Sequence, residues 1–381
     1  MVNKEHYMEI CLDAKSNYEQ YKKEAEELVV RWEYVSEKRY DLTPYWFERN
    51  HEKRGRILKK ETDTFYGFDK DGKLRVTYCD ELINGIGYTT YSDNQILTRL
   101  YRDGRIDSIK EITLEDDHPI RSVEFITRHN LDLNDAWYTV EEYIYEQERL
   151  VKVICPQYSE RPLYFDRLYT YLEYDENGDL YKVLNANHRI LYINIPKKEA
   201  VALRAEVKLE LSAEMEIIVR DIRNKVQGKN VCFIAIYLHD EIDGIYDPVF
   251  HPGLEQVRLE QIEQEKDIYT IWASGEHPIN YQVGLSNKEL LEKLQKLTMY
   301  WAMRGSWWIQ GKKLWQEVAY TVNQQDHSEN LSVTNDFIFF VDWERFDVKK
   351  GGLAKSVPEE KLEILRAGGL LKKLKNLMKQ T

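Results

Sequence analysis

The sequence is short of every feature that announces a chemistry. Its 381 residues include only four cysteines, Cys11, Cys79, Cys155 and Cys232, with no Cys-x-x-Cys pair. That excludes a disulfide framework and a zinc ribbon, and fits reduced thiols in a core. No apolar run approaches the ~18 to 20 residues needed to cross a bilayer. Lys4, Glu5, Glu9, Asp13, Lys15 and Glu19 interrupt the start of the chain, so no secretory signal is expected and the cytoplasm is the expected compartment. Walker, Gly-x-Gly-x-x-Gly, Gly-x-Ser-x-Gly and His-Glu-x-x-His motifs are all missing, and neither a catalytic set nor a cofactor is expected. Basic residues are outnumbered 54 to 66, a net charge of −12, which argues against direct nucleic-acid binding, because phosphate contact needs clustered Lys and Arg.

What is present is organisation. Charge and periodicity divide the chain into residues 1–62, 63–195, 196–348 and 349–381, whose net charges are 0, −10, −8 and +6. The first zone reads as one long helix: Tyr7, Cys11, Ala14, Tyr18, Tyr21, Ala25, Leu28, Trp32 and Val35 recur at alternating spacings of 4 and 3. Its small and large knobs suit packing against the chain's own next element, the alternative being a homo-oligomeric seam. Asp41, Thr43 and Pro44 mark a break and a restart.

The second zone switches to period 2, with strands at 73–78, 96–101, 143–154 and 168–174. A small unit recurs as Phe68-Asp69-Lys70-Asp71-Gly72-Lys73-Leu74, Tyr101-Arg102-Asp103-Gly104-Arg105-Ile106, Tyr145-Glu146-Gln147-Glu148-Arg149-Leu150 and Tyr174-Asp175-Glu176-Asn177-Gly178-Asp179-Leu180. Asp, Asn and Gly supply turn geometry while the flanking side chains pair across two strands, so each unit is a hairpin. The first and last units resemble the YD-type hairpin repeats of bacterial cell-surface and toxin shells. Together the units predict a meandering antiparallel sheet, rich in tyrosine, with 15 of the chain's 27.

The third zone carries a long amphipathic helix through Leu203, Val207, Leu211, Met215, Ile218, Ile222 and Val226, stopped by Gln227-Gly228. A buried strand at 231–238 follows. Then come a helix at 254–265, a strand at 268–273, a helix opened by a Ser286-x-x-Glu289 capping box, a helix at 312–322 and a strand at 337–341. The last zone starts with a second capping box at Ser356 and Glu359 and ends in a basic leucine-bearing tail, a candidate for docking on the acidic body or on a second copy. The fold class is α+β: a long N-terminal helix, an antiparallel sheet of hairpins, and a mixed α/β C-terminal domain.

Two polar groupings invite chemistry. His239, Asp243 and His251, in a loop after the 231–238 strand, are the residue types that ligate zinc or manganese, against a solvated turn-rich loop as the plainer reading. Asp342 and Glu344 end a strand where hydrolytic carboxylates stand, against a solvated strand-end pair. Cys232 reads as core, as do Trp301 and Trp315. Arg304, Trp307 and Trp308 cluster at a turn, and Arg and Trp are the types that anchor protein interfaces. Tyr174 and Asp175 represent the hairpin face as a contact surface.

From about residue 215 onward the chain resembles bacterial cytosolic immunity proteins of polymorphic toxin systems. The residues that carry this are the 231–238 strand, Trp272 ahead of Glu276 and Pro278, and Asp336-Phe337-Ile338-Phe339-Phe340-Val341-Asp342-Trp343-Glu344 followed by Val357-Pro358-Glu359-Glu360-Lys361-Leu362. The resemblance implies a non-catalytic protein that binds another protein, and an acidic, tyrosine-rich surface suits a basic partner such as a toxin. A metal-dependent hydrolase and a phage or bacterial assembly subunit are the alternative expectations.

Overall fold

A computed structural model describes residues 2–79, 85–127, 131–132, 135–158 and 168–371. The chain forms two compact units, Met1–Asn194 and Ile195–Thr381. With 28 Lys and Arg against 38 Asp and Glu, unit 1 carries a net −10, whereas unit 2, with 26 against 28, is nearly neutral.

Unit 1 opens with two short helices rather than one long one: α1 (Lys4–Ser16) and α2 (Tyr18–Leu28). Asn17 leaves helical geometry between them, with φ −113° and ψ 27°, and Trp32 and Val35 belong to a strand, β1 (Arg31–Val35). Of the expected seam, Tyr7, Cys11, Ala14 and Ala25 are buried against the chain's own sheet. A short helix, α3 (Trp46–Arg49), precedes twelve further strands among the described residues. These are β2 (Ile57–Leu58), β3 (Thr64–Phe68), β4 (Leu74–Cys79), β5 (Gly85–Ser92), β6 (Gln95–Arg102), β7 (Arg105–Glu115), β8 (His118–Ile126), β9 (Trp137–Glu146), β10 (Arg149–Tyr158), β11 (Tyr169–Tyr174), β12 (Leu180–Asn185) and β13 (Ile190–Ile193). All thirteen make one sheet in which β3 to β13 follow chain order and every pairing is antiparallel.

The pleat sends neighbouring residues to opposite faces. Ile109, Val123 and Val140 pack under α1 and α2. Lys110 and Glu141, one position on, meet a strap formed by residues 36–56. Tyr40 and Leu42 of the strap cover Val35, Tyr66, Phe68 and Leu74, while Tyr45 packs on the cluster around Tyr143 and Leu172, and α3 rests on β12 and β13. A chain from Val35 to Phe47 spans at most about 40 Å, whereas eleven strand spacings of about 4.8 Å cover about 53 Å in a flat sheet. The sheet therefore curls around the strap, which fills its concave face.

Ion pairs pin the strap. Arg49 makes a bidentate pair with Glu141 at 2.8 and 3.0 Å, and Tyr143 donates to the same carboxylate at 2.7 Å. Asp41 pairs with Lys38 at 2.6 Å and Lys110 at 3.3 Å. Burial alone would raise the Asp41 carboxyl, but Lys110 and Lys38 hold it well below the usual range; Arg49 likewise lowers the half-buried Glu141 carboxyl.

Unit 2 begins with α4 (Lys197–Val226), whose inner stripe Val207, Leu211, Met215, Ile218, Ile222 and Val226 is buried. Its sheet has the order β15-β14-β16, formed by β14 (Val231–Leu238), β15 (Val249–Leu254) and β16 (Val333–Trp343), with β14 parallel to β16. The remaining helices are α5 (Asp243–Tyr246), α6 (Glu255–Glu263), α7 (Ile268–Trp272), α8 (Lys288–Ala302), α9 (Trp307–Val322) and α10 (Glu359–Ala367). The expected strand at 268–273 is a helix because the Asp267 carboxylate caps it, accepting from the amides of Tyr269 and Thr270. Neither capping box forms: Asn287 caps α8, and Ser356 is buried ahead of Pro358, which starts α10. Helix α9 starts five residues earlier than the pattern implied. No helix among the described residues is long and apolar enough to cross a membrane. The basic tail from 372 and the Cys79 side chain lie outside the described residues.

Candidate functional site

Six hairpin turns among the described residues fall into two classes; the Asp93-Asn94 turn between β5 and β6 belongs to neither. Asp69 and Asp175 each accept two backbone N–H groups on Oδ1, and Gly72 and Gly178 stand at φ 77° and 86°. Asn185 builds the same turn with His188 at φ 58° in the glycine position, a third copy hidden by two substitutions. The other two units are two-residue turns with both residues at positive φ: Asp103-Gly104 and Gln147-Glu148. Asp116-Asp117, between β7 and β8, is a third of that kind.

In an antiparallel meander alternate turns project from the same end of the sheet. The turns β3–β4, β5–β6, β7–β8, β9–β10 and β11–β12 therefore share one rim, spaced about 10 Å apart. Each carries exposed carboxylates: Asp71, then Asp93, then Glu115, Asp116 and Asp117, then Glu146 and Glu148, then Glu176 and Asp179. The exposed cations of these turns are Lys70, Lys73 and Arg149, and the Arg149 guanidinium sits over the Tyr174 ring. Tyr174 donates to the Leu150 carbonyl, so this residue and Asp175 build the rim's last turn.

Unit 2 holds an open cleft of roughly 730 Å³ beyond the end of β14, lined by Asp221, Asn224, Lys225, His239, Asp243, Asp247 and Gln282. The structure does not bring the three expected metal ligands together. His239 and Asp243 are exposed on the cleft, whereas His251 is buried behind it with Nδ1 3.2 Å from the Gln282 amide nitrogen. Among the described residues no three His, Cys, Asp or Glu side chains are grouped to hold a metal ion.

Asp342 and Glu344 also part company. Glu344 is exposed, but Asp342 is buried and accepts from the Ser274 hydroxyl at 2.6 Å; it is not a solvated carboxylate. Burial raises its pKa, against the opposing hydrogen bonds of Ser274. Cys232 is fully buried and burial pushes its thiol up to about 12, leaving it no nucleophilic character near neutral pH. Trp301 and Trp315 are core.

At the α8–α9 corner Arg304 lies over Tyr300 at 3.6 Å, and the half-buried rings of Trp307 and Trp308 meet edge to face. Lys312 sits over both Trp308 and Trp343, with Ile309 65% exposed beside them. This corner presents a small aromatic and cationic surface. No family model, curated protein or solved structure matches the chain.

Proposed function

We propose that the protein is a non-catalytic binding protein, of immunity or defence-associated type, that acts in the cytoplasm and holds a basic protein partner against the acidic rim of unit 1. The observation that carries this reading is the rim itself: five successive same-side turns with nine exposed carboxylates against three exposed cations, two of which, Lys70 and Lys73, stand at the first turn beside Asp71. Backbone conformation supports it. Asp117 and Glu148 occupy left-handed positions, at φ 63° and 66°, where glycine is the favoured residue. The carboxylates stand there at a conformational cost of about 1 kcal/mol or more each. A row of like charge steers an oppositely charged partner and accelerates association, and salt weakens both effects.

The test is affinity capture from the native source, run in parallel with wild-type protein and a variant carrying D116N, D117N, E146Q and E148Q. A basic protein retained by the wild type and lost from the variant supports the reading. Identical captures, or captures without a basic protein, contradict it.

A further inference from the structure

Behind the cleft, residues 273–285 lie across β15 as a flap. Val283 pairs with Phe250 through two backbone hydrogen bonds, Ser274 bonds Asp342, and Gln282 reaches His251. At the centre is His277, 3% exposed, whose Nδ1 accepts the Leu254 N–H at 3.1 Å. Leu254 ends β15 and precedes α6, a helix whose start has no side-chain cap.

An imidazole nitrogen that accepts a hydrogen bond carries no proton, so the neutral ring is protonated at Nε2. That nitrogen is buried with no hydrogen-bond partner; the Ile271 carbonyl of α7 faces the ring without closing a bond. Phe233 of β14 meets the ring edge to face at 4.9 Å. The titratable and charged groups facing the ring are His251 from β15 and Arg258 from α6. The Arg258 guanidinium is itself held by Asp336 of β16 and Glu255, with the Cys232 thiol of β14 close by. A second ring proton has to enter at Nδ1, where it meets the Leu254 N–H head on, beside a guanidinium and in a site closed to water.

We propose that residues 273–285 form a pH-sensitive latch with His277 as its sensor, closed near neutral pH and released in mild acid, which uncovers His251 and widens the cleft that Gln282, Val283 and Gly284 wall. Burial first, then His251 and Arg258, lower the His277 pKa to about 4. A released ring titrates near the ordinary ~6.5. The latch is therefore fully stabilised above about pH 6.5 and loses that stabilisation as pH falls towards about 4.

The experiment is hydrogen exchange on the intact chain at pH 7.5 and 5, corrected for intrinsic rates, with H277Q alongside. Glutamine offers an oxygen to the Leu254 N–H and does not titrate. Protection of the Leu254 amide and of residues 273–285 is expected to fall about thirtyfold in the wild type, with β14 and β16 unchanged, and to stay level in H277Q. Equal protection at both pH values, the same loss in H277Q, or a loss spread through β14 overturns the latch. Should H277Q not fold, NMR titration of the His277 ring in the native chain decides: a midpoint below about 5 is expected, and one near 6.5 overturns it.

Discussion

At the scale of single residues, the curled sheet depends on charges taken out of water. Arg49 has 5% of its side chain exposed and Glu141 23%, and each satisfies the other's hydrogen-bonding groups across the strap. A buried pair of this kind is costly to break from one side, because the remaining charge is left without a partner. Arg49→Ala is expected to destabilise unit 1 by about 3 to 5 kcal/mol, and Arg49→Met with Glu141→Leu by much less; urea midpoints of the two variants check the order. None of this was legible in the sequence. The partners are 92 positions apart, and nothing in either neighbourhood marks it for burial. Composition did identify Cys232, Trp301 and Trp315 as core, since apolar neighbours at strand or helix spacing surround each of them.

Among the elements, periodicity was informative where one period persisted and misleading where two overlapped. The α4 stripe and its Gln227-Gly228 stop stand as the spacing implied, with Gln227 at φ 52° and Gly228 at φ 81°. The N-terminal seam ran on past Asn17 and into β1, because a spacing of three between Trp32 and Val35 satisfies a heptad and says nothing of the strand around them. In α7 the β-branched and aromatic residues Ile268 to Trp272 favour a strand, but one carboxylate at Asp267 satisfies two amides and tips the segment to helix. The turns yield a prediction of their own. Glu148→Gly relieves a left-handed glutamate at φ 66° and is expected to raise the thermal midpoint of unit 1 by a few degrees, about 1 kcal/mol, while weakening partner binding. A thermal melt beside a binding titration separates the two effects; a lower midpoint contradicts the strain argument.

For the whole molecule, acid is expected to act on carboxylate ion pairs in unit 1 and on a buried imidazole in unit 2. Asp41 and Glu141 are held below their ordinary pKa values, so the strap keeps its full ionic stabilisation above the usual carboxylate range, about pH 4 to 4.5, and loses it only below. His277 acts between about 6.5 and 4, so the flap is expected to loosen at higher pH than the Asp41 and Glu141 ion pairs are lost; burial also lowers the pKa of His51 in the strap, so unit 1 holds a neutral imidazole of its own. Exchange of residues 273–285 followed beside the carboxyl titrations of Asp41 and Glu141 from pH 7.5 to 3 checks the order, and a flap that stays closed until the ion pairs are lost contradicts it. The rim likewise exists only at this scale. The acidic zone, the turn residues and the meander were all expected from the sequence, but which turns share an end depends on the number of strands between them, and the sequence merged β9 and β10 into one segment and left several others unplaced.

The proposed capture of a basic protein by the rim depends on charge. The decisive measurement is the affinity of the captured partner for wild-type protein and for the four-carboxylate variant, between about 50 and 300 mM salt. A wild-type affinity that falls at least about tenfold over that range, with a shallower slope and slower association in the variant, is the result expected. An affinity indifferent to salt and unchanged by the four substitutions would contradict the account.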